Sequence, residues 1–246
     1  MILDYCTILV DKNEWELLPL HLNSLRHYSP GVSFNFKISV PDDDPETIEY
    51  CKGFPVEVMP LPIFKQNIRN CLNQASFDCA NRLDKLIKSC TSDWVVVSHA
   101  DIVYTGSLID SISPILAPDV GMINYWPLGV TVINRKIYNE CHFGFWPITN
   151  LRTTNNDDPL RLCNYTEAGD SSRLIIGIDV GALLKLEMQG YGHRFVLSNL
   201  MHSYQHIGEQ SRYWLYLSGS DDIKERKRLE IEQKKQKALE EFKRFK

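Results

Sequence analysis

No run of about eighteen apolar residues occurs in the chain, so the sequence holds no transmembrane helix. Glycine is sparse, at 13 of 246 residues, and nowhere builds a phosphate-cradling loop or a dinucleotide fingerprint. A Gly-x-Ser-x-Gly nucleophile elbow is also missing, which removes one large class of hydrolases. The seven cysteines (Cys6, Cys51, Cys71, Cys79, Cys90, Cys141, Cys163) are odd in number, and no pair has Cys-x-x-Cys spacing. A disulfide framework and a structural zinc site therefore both lack support, and buried thiols in a reducing compartment are the expectation. An excess of positive charge is lacking too. The net charge of −4 argues against a nucleic-acid partner. No basic segment precedes the first apolar run, and Asp11 comes too early for a signal peptide, so a cytoplasmic location is expected.

What is present reads as a soluble globular protein, 43% hydrophobic and 24% charged. Cys6 to Val10 is an apolar run, and Trp15, Leu18, Leu22 and Leu25 then recur at helical spacing up to Ser29-Pro30-Gly31. Phe34, Phe36, Ile38 and Val40 alternate with polar residues as a strand does. A short helix over 46–51 and a strand over 56–61 follow. This alternation predicts a parallel sheet flanked by helices. A helix over 73–90 leads into the strand Trp94–Ser98, and a helix over 106–117, interrupted by Pro114, leads into a strand over 120–126. Between Gly129 and Arg173 the periodicity fades, and an irregular stretch carrying Trp146 is expected. Beyond it come a short run at 174–177, a helix over 180–189 closed by Gly190, and a strand over 194–197. Residues 221–246 carry ten basic and seven acidic side chains, with Ala238, Leu239, Phe242 and Phe245 as a narrow apolar stripe. They read as a solvated helix packed by that stripe; such a helix could also rest weakly on an anionic membrane surface.

The chemistry gathers at strand ends. Asp93-Trp94-Val95-Val96-Val97-Ser98-His99-Ala100-Asp101 is a buried-strand pattern that stops in a histidine and a carboxylate. Asp11, Asn13 and Glu14 follow the first strand, and Asp42 and Asp43 follow the second, on the same rim. In open α/β sheets ligands bind there. His202 and His206 are four apart, a spacing that puts both on one face if the segment is helical. Carboxylate with histidine suits a divalent cation, and Mg²⁺ or Mn²⁺ when a diphosphate adds oxygens.

From about Cys6 to Arg212 the order of these motifs resembles the GT-A-fold glycosyltransferases, in particular family 2. That family has a polar turn after its first strand, an acidic loop after its second, and a strand ending in Asp-x-Asp. It then has an acidic pair opening a helix that ends in Gly-Tyr, and a late histidine followed by Gly and Ser. Here these are Asp11–Glu14, Asp42–Asp43, His99-Ala100-Asp101, Ile178-Asp179 through Gly190-Tyr191, and His206 with Gly208 and Ser211. Two positions depart from the pattern: His99 stands for the first Asp, and Ile178 for the first acid of the pair.

The resemblance implies an α/β, GT-A (Rossmann-like), mostly parallel sheet flanked by helices, with a charged C-terminal helix. The domain would cover 1–220, with a nucleotide-binding half at about 1–104 and an acceptor-binding half at about 105–220, and the helix 221–246. The implied activity is metal-dependent transfer of a sugar from a UDP- or GDP-sugar to a saccharide hydroxyl. Asp11, Asn13, Glu14, Asp42, Asp43, His99 and Arg212 would hold the nucleotide sugar, Asp101 and His206 would ligate Mn²⁺ or Mg²⁺, and Asp179 would be the base. Trp126 and Trp146 would stack on sugar faces. A nucleotide-sugar- or glycan-binding protein on the same scaffold, and a nucleotidyltransferase, stay open as alternatives.

Overall fold

The computed structural model describes residues 2–10, 12–63, 71–124, 129–145, 148–151, 163–167, 170–178, 181–207 and 221–245. The first half alternates as the pattern predicts: β1 (Ile2–Ile8), α1 (Leu17–Tyr28), β2 (Ser33–Pro41), α2 (Pro45–Lys52), β3 (Glu57–Leu61), α3 (Cys71–Lys88) and β4 (Trp94–His99). The chain continues with β5 (Ile102–Tyr104), α4 (Leu108–Ile112), β6 (Val120–Ile123), β7 (Val130–Asn134), α5 (Arg135–Glu140) and β8 (Ile148–Leu151). It closes with β9 (Cys163–Glu167), β10 (Asp170–Ile178), α6 (Ala182–Gly190), β11 (Arg194–Val196), β12 (Tyr204–His206) and α7 (Asp221–Glu241).

Seven strands make the central sheet, in the order β11-β6-β7-β4-β1-β2-β3. Its neighbours pair parallel except at β7, which is antiparallel to β4 and β6. From β1 the chain moves outward to β2 and β3, and α3 then returns it to β4 on the far side of β1. The strand order therefore reverses between β1 and β4, and a crevice opens at their C-terminal ends. The register sets Ile8 level with both Ser39 and His99, so three strand ends share that rim.

Alternation along the strands sorts side chains to two faces. Leu3, Tyr5 and Val96 pack with Leu18, Leu22 and Leu25 of α1 and with Leu108 and Ile112 of α4. Cys6, Ile8, Val95 and Val97 pack with Leu83 and Ile87 of α3, Tyr138 of α5, and Leu184 and Met188 of α6. A third cluster seats α7: Ala238, Leu239, Phe242 and Phe245 lie against Leu17, Leu20, Val103 and Ile207. The stripe of the charged tail is thus used inside the molecule, and its phenylalanines are not displayed for a membrane. No helix among the described residues is long and apolar enough to cross a membrane.

Several sequence expectations are corrected. The 129–173 stretch is not irregular throughout. It supplies β7, a central strand, together with α5, β8 and β9. Val130-Thr131-Val132-Ile133 is buried on both faces, so it lacks the polar alternation that marks a half-exposed strand. The helix expected over 106–117 is the single short α4. Gly190 is the last residue of α6, and the left-handed glycine that ends the turn is Gly192, at φ 84°.

Arg82 of α3 is fully buried and ties the rim together. Its guanidinium donates to Asp78 at 2.8 Å, Ser39 Oγ at 3.0 Å, the Val40 carbonyl at 2.9 Å and the Leu61 carbonyl at 3.2 Å. Breaking such a pair from one side strands a desolvated carboxylate. Arg82→Met is expected to lose about 3–5 kcal/mol of stability. Urea unfolding of the variant beside wild type measures it, and a loss under ~1 kcal/mol would contradict this role.

Candidate functional site

The site begins where β4 runs out. His99 is its last residue, Ala100 and Asp101 turn the chain, and β5 starts at Ile102. β12 pairs antiparallel with β5 and sets His206 opposite Ile102. The Ile207 N–H donates to the Asp101 carbonyl at 2.9 Å, continuing that ladder by one rung. The His99 N–H donates to the Gly129 carbonyl at 3.0 Å. Gly129 has φ 94°, and a Cβ there would lie 2.8 Å from Ile102 Cδ1 and 3.4 Å from His206 Nδ1. Glycine at this position lets the backbone close down on the site.

The outer edge of β5 meets α1 and not another strand. His21 Nδ1 lies 2.8 Å from the Ile102 carbonyl, and because a carbonyl only accepts, this nitrogen carries the proton. Ser24 Oγ accepts from the Tyr104 N–H at 2.9 Å. Two side chains at i and i+3 of one helix thus stand in for a strand. Burial drives the His21 imidazole down to about 4, against the upward pull of the Ile102 hydrogen bond and of Asp101. Beneath the site the Tyr5 and Tyr104 hydroxyls share a hydrogen bond of 2.8 Å.

Three side chains converge. One ligand atom from each of His99, Asp101 and His206 lies within 4.8 Å of the others. Asp101 Oδ1 and His206 Nε2 are 3.1 Å apart, and the His99 and His206 rings meet edge to face with centroids at 4.8 Å. Asp101's side chain is only 5% exposed, whereas that of His206 is 31% exposed. Burial pushes the Asp101 carboxyl up, but the hydrogen bond and charge of His206, with the charge of His99, outweigh it and hold it below the usual range. Burial pushes His206 down, and Asp101 more than reverses this. The donor set fits a divalent cation. Imidazole nitrogen with carboxylate oxygen is a common ligand set for divalent transition ions.

The remaining candidates divide. Asp42 and Asp43 are exposed beyond the end of β2, on the same rim. Next to them Asp44 caps α2, accepting from the Thr47 N–H at 3.1 Å and its hydroxyl at 2.7 Å. Glu14 turns inward, 4% exposed, and accepts from the Val10 N–H at 2.9 Å, so it shapes the turn after β1. Asn13 lies in the single-turn helix Lys12–Glu14 that forms this turn. Asp11, Asp179 and Arg212, with Trp126, Trp146, Gly208 and Ser211, lie outside the described residues. His202 and His206 do not share a helix face: His202 ends a 3-10 turn, and His206 is in β12. Sequence reasoning missed His21, Ser24 and Gly129. The signal for the first two was polar side chains set in the apolar stripe of α1.

No protein-family profile and no curated protein matches the chain. Solved structures do. The mannosyltransferase PcManGT from Pyrobaculum calidifontis, in complex with GDP-Man and Mn²⁺, is 11% identical, with a TM-score of 0.50 over 87% of this chain and 59% of that one. The galactosyltransferase LgtC, in complex with donor and acceptor sugar analogs, is 15% identical, with a TM-score of 0.41 over 56% of this chain and 60% of that one. Mouse xyloside xylosyltransferase 1 is 8% identical, with a TM-score of 0.39 over 55% and 68%. The chain thus spans about three fifths of the length of PcManGT and LgtC. At such identities the likeness to PcManGT concerns the fold alone.

The pair at the centre of the site makes a pH prediction for the metal-free protein. His206 is raised above the ordinary imidazole value of about 6.5, and Asp101 is depressed below the carboxylate value of about 3.9. Their contribution to stability is therefore fully present between these two values. It is lost as pH rises through the raised His206 value, and again as pH falls through the depressed Asp101 value. An NMR titration of the His206 ring under chelator should give a midpoint above about 6.5, and Asp101→Asn should lower it. An unchanged midpoint in the variant would show that the carboxylate does not hold the proton.

Proposed function

We propose that this chain, which has the GT-A-like α/β fold, is a metal-dependent glycosyltransferase. It would move a sugar from a UDP- or GDP-sugar to the hydroxyl of a saccharide. The observation that carries this reading is the meeting of His99, Asp101 and His206 at the point where the strand order reverses. That is where a nucleotide diphosphate would lie.

Asp101 and His206 would hold Mn²⁺ or Mg²⁺. When bound, the cation neutralises charge on the leaving diphosphate as a Lewis acid. Asp42 and Asp43, beyond β2, would meet the nucleobase and ribose together with Asp11 and Asn13. Glu14 supports that turn from within through the Val10 N–H. His99 would meet the ribose or the diphosphate, and Arg212 would clamp a phosphate. Asp179 follows β10 directly and would take the proton from the acceptor hydroxyl if the reaction inverts. Asp101 works from a buried, ionised state. Its charge acts at low dielectric, where it is worth more than in water. The described cysteines, Cys6, Cys51, Cys79, Cys90 and Cys141, are free thiols, which supports a cytoplasmic setting.

Donor turnover with a panel of UDP- and GDP-sugars and Mn²⁺ tests the reading. Asp101→Ala should abolish metal-dependent turnover with the fold kept by circular dichroism. Asp179→Asn should lower kcat by about 10²–10⁴-fold while donor affinity changes far less. Wild-type turnover in Asp101→Ala would overturn the metal assignment. Donor binding with no turnover in wild type would favour the binding-protein reading, and pyrophosphate release from a nucleoside triphosphate would favour a nucleotidyltransferase.

A further inference from the structure

We propose that His99 is itself a ligand of the cation, and that the resulting set of two imidazoles and one carboxylate selects borderline transition ions over Mg²⁺. The proposal rests on reading the site as a cation site, and it deepens that reading by naming the ion class.

Three observations converge on it. First, among the described residues the cluster at the strand end contains a single carboxylate. His99 and His206 supply its other two donors, all within 4.8 Å. Second, the three donors come from three cross-tied backbone positions. His99 is the last residue of β4 and is pinned through its N–H to Gly129, Asp101 is held through its carbonyl to Ile207, and His206 pairs with Ile102. Third, the imidazoles adjoin each other and the carboxylate: His206 reaches Asp101 at 3.1 Å, and the His99 ring meets the His206 ring edge to face with centroids at 4.8 Å.

The selectivity follows from ligand chemistry. Mg²⁺ is a hard ion that requires near-octahedral oxygen and gives up water reluctantly. One protein oxygen and two nitrogens are a poor exchange for its hydration shell. Imidazole suits Zn²⁺, Fe²⁺, Co²⁺ and Ni²⁺, and two imidazoles with one carboxylate leave open positions on such ions. Those positions are where diphosphate oxygens would enter. Affinity should therefore rise from Mn²⁺ through Co²⁺ along the series for nitrogen donors, with Zn²⁺ tighter than Mn²⁺. Mg²⁺ should fall below all of them. A carboxylate in place of His99 would shift the same cavity toward hard ions.

The experiment uses the full chain, freed of metal by chelation. Mn²⁺ binding is followed by electron paramagnetic resonance without nucleotide, with Mg²⁺, Co²⁺ and Zn²⁺ as competitors. Echo modulation of the bound Mn²⁺ counts imidazole nitrogens. We expect two imidazoles on the ion, Mg²⁺ at least tenfold weaker than Mn²⁺, and Zn²⁺ tighter. His99→Asp should leave one imidazole and shrink the Mn²⁺-to-Mg²⁺ preference by at least tenfold. Equal Mg²⁺ and Mn²⁺ affinities, one imidazole in wild type, or no bound ion would each overturn the proposal. The wild-type measurements decide it even if the variant does not fold. A separate titration with UDP and GDP keeps the two readings apart. Metal binding as expected with neither nucleotide bound would sink the glycosyltransferase reading and leave this one standing.

Discussion

A carboxylate almost fully withdrawn from water cannot stay ionised alone, and this constraint organises the site. Asp101 keeps its charge because His206 and His99 stand beside it. His206 is more than a hundred residues away along the chain, so the contact can form only if β12 docks on β5 in the right register. That docking depends on what lies on both sides. α1 satisfies the outer edge of β5 through His21 and Ser24. α7 covers Val103 and Ile207 with its apolar stripe. The charged tail thus belongs to the support of the site, although its own sequence reads mainly as a solvated helix.

The same logic explains why a glycine sits at position 129. The end of β4 must come close to the returning chain, and any Cβ there would collide with Ile102 and press on His206. Arg82 plays a comparable part at the neighbouring strand ends. It bonds to β2 and to Leu61 at the end of β3, and so holds the rim on which Asp42 and Asp43 stand. The site is therefore framed by buried polar groups that find partners on neighbouring elements, Arg82 on Asp78 and the strand ends and His21 on the Ile102 carbonyl.

Much of this layout was legible beforehand, for identifiable reasons. β1 through β4 and the three helices between them announce themselves because strand and helix periods differ, and because the apolar runs of β1 and β4 end at polar residues. The C-terminal position of His99 and Asp101 on β4 followed from where the apolar run stopped. β7 was missed because a strand buried on both faces shows no alternation. The placement of His206 was misread because four-residue spacing suits a helix, while three residues of strand leave no periodicity to detect. His21 was not singled out, since the strand edge it satisfies lies 81 residues away. The likeness to solved structures reaches the GT-A-like fold. Family 2 within it rests on the motifs alone.

By itself, then, the sequence determined most of the local elements, the parallel sheet that their alternation implies, and the rim on which chemistry could gather. These follow from short-range patterns of burial and from the rules that connect strands through helices. Only the tertiary structure decided which of the candidate side chains meet. It joined Asp101 to His206 and His99, turned Glu14 inward, parted His202 from His206, and placed α7 against β5 and the residue after β12. Such choices depend on long-range pairing of an edge strand, where register is set by everything packed around it and by no signal inside the strand itself.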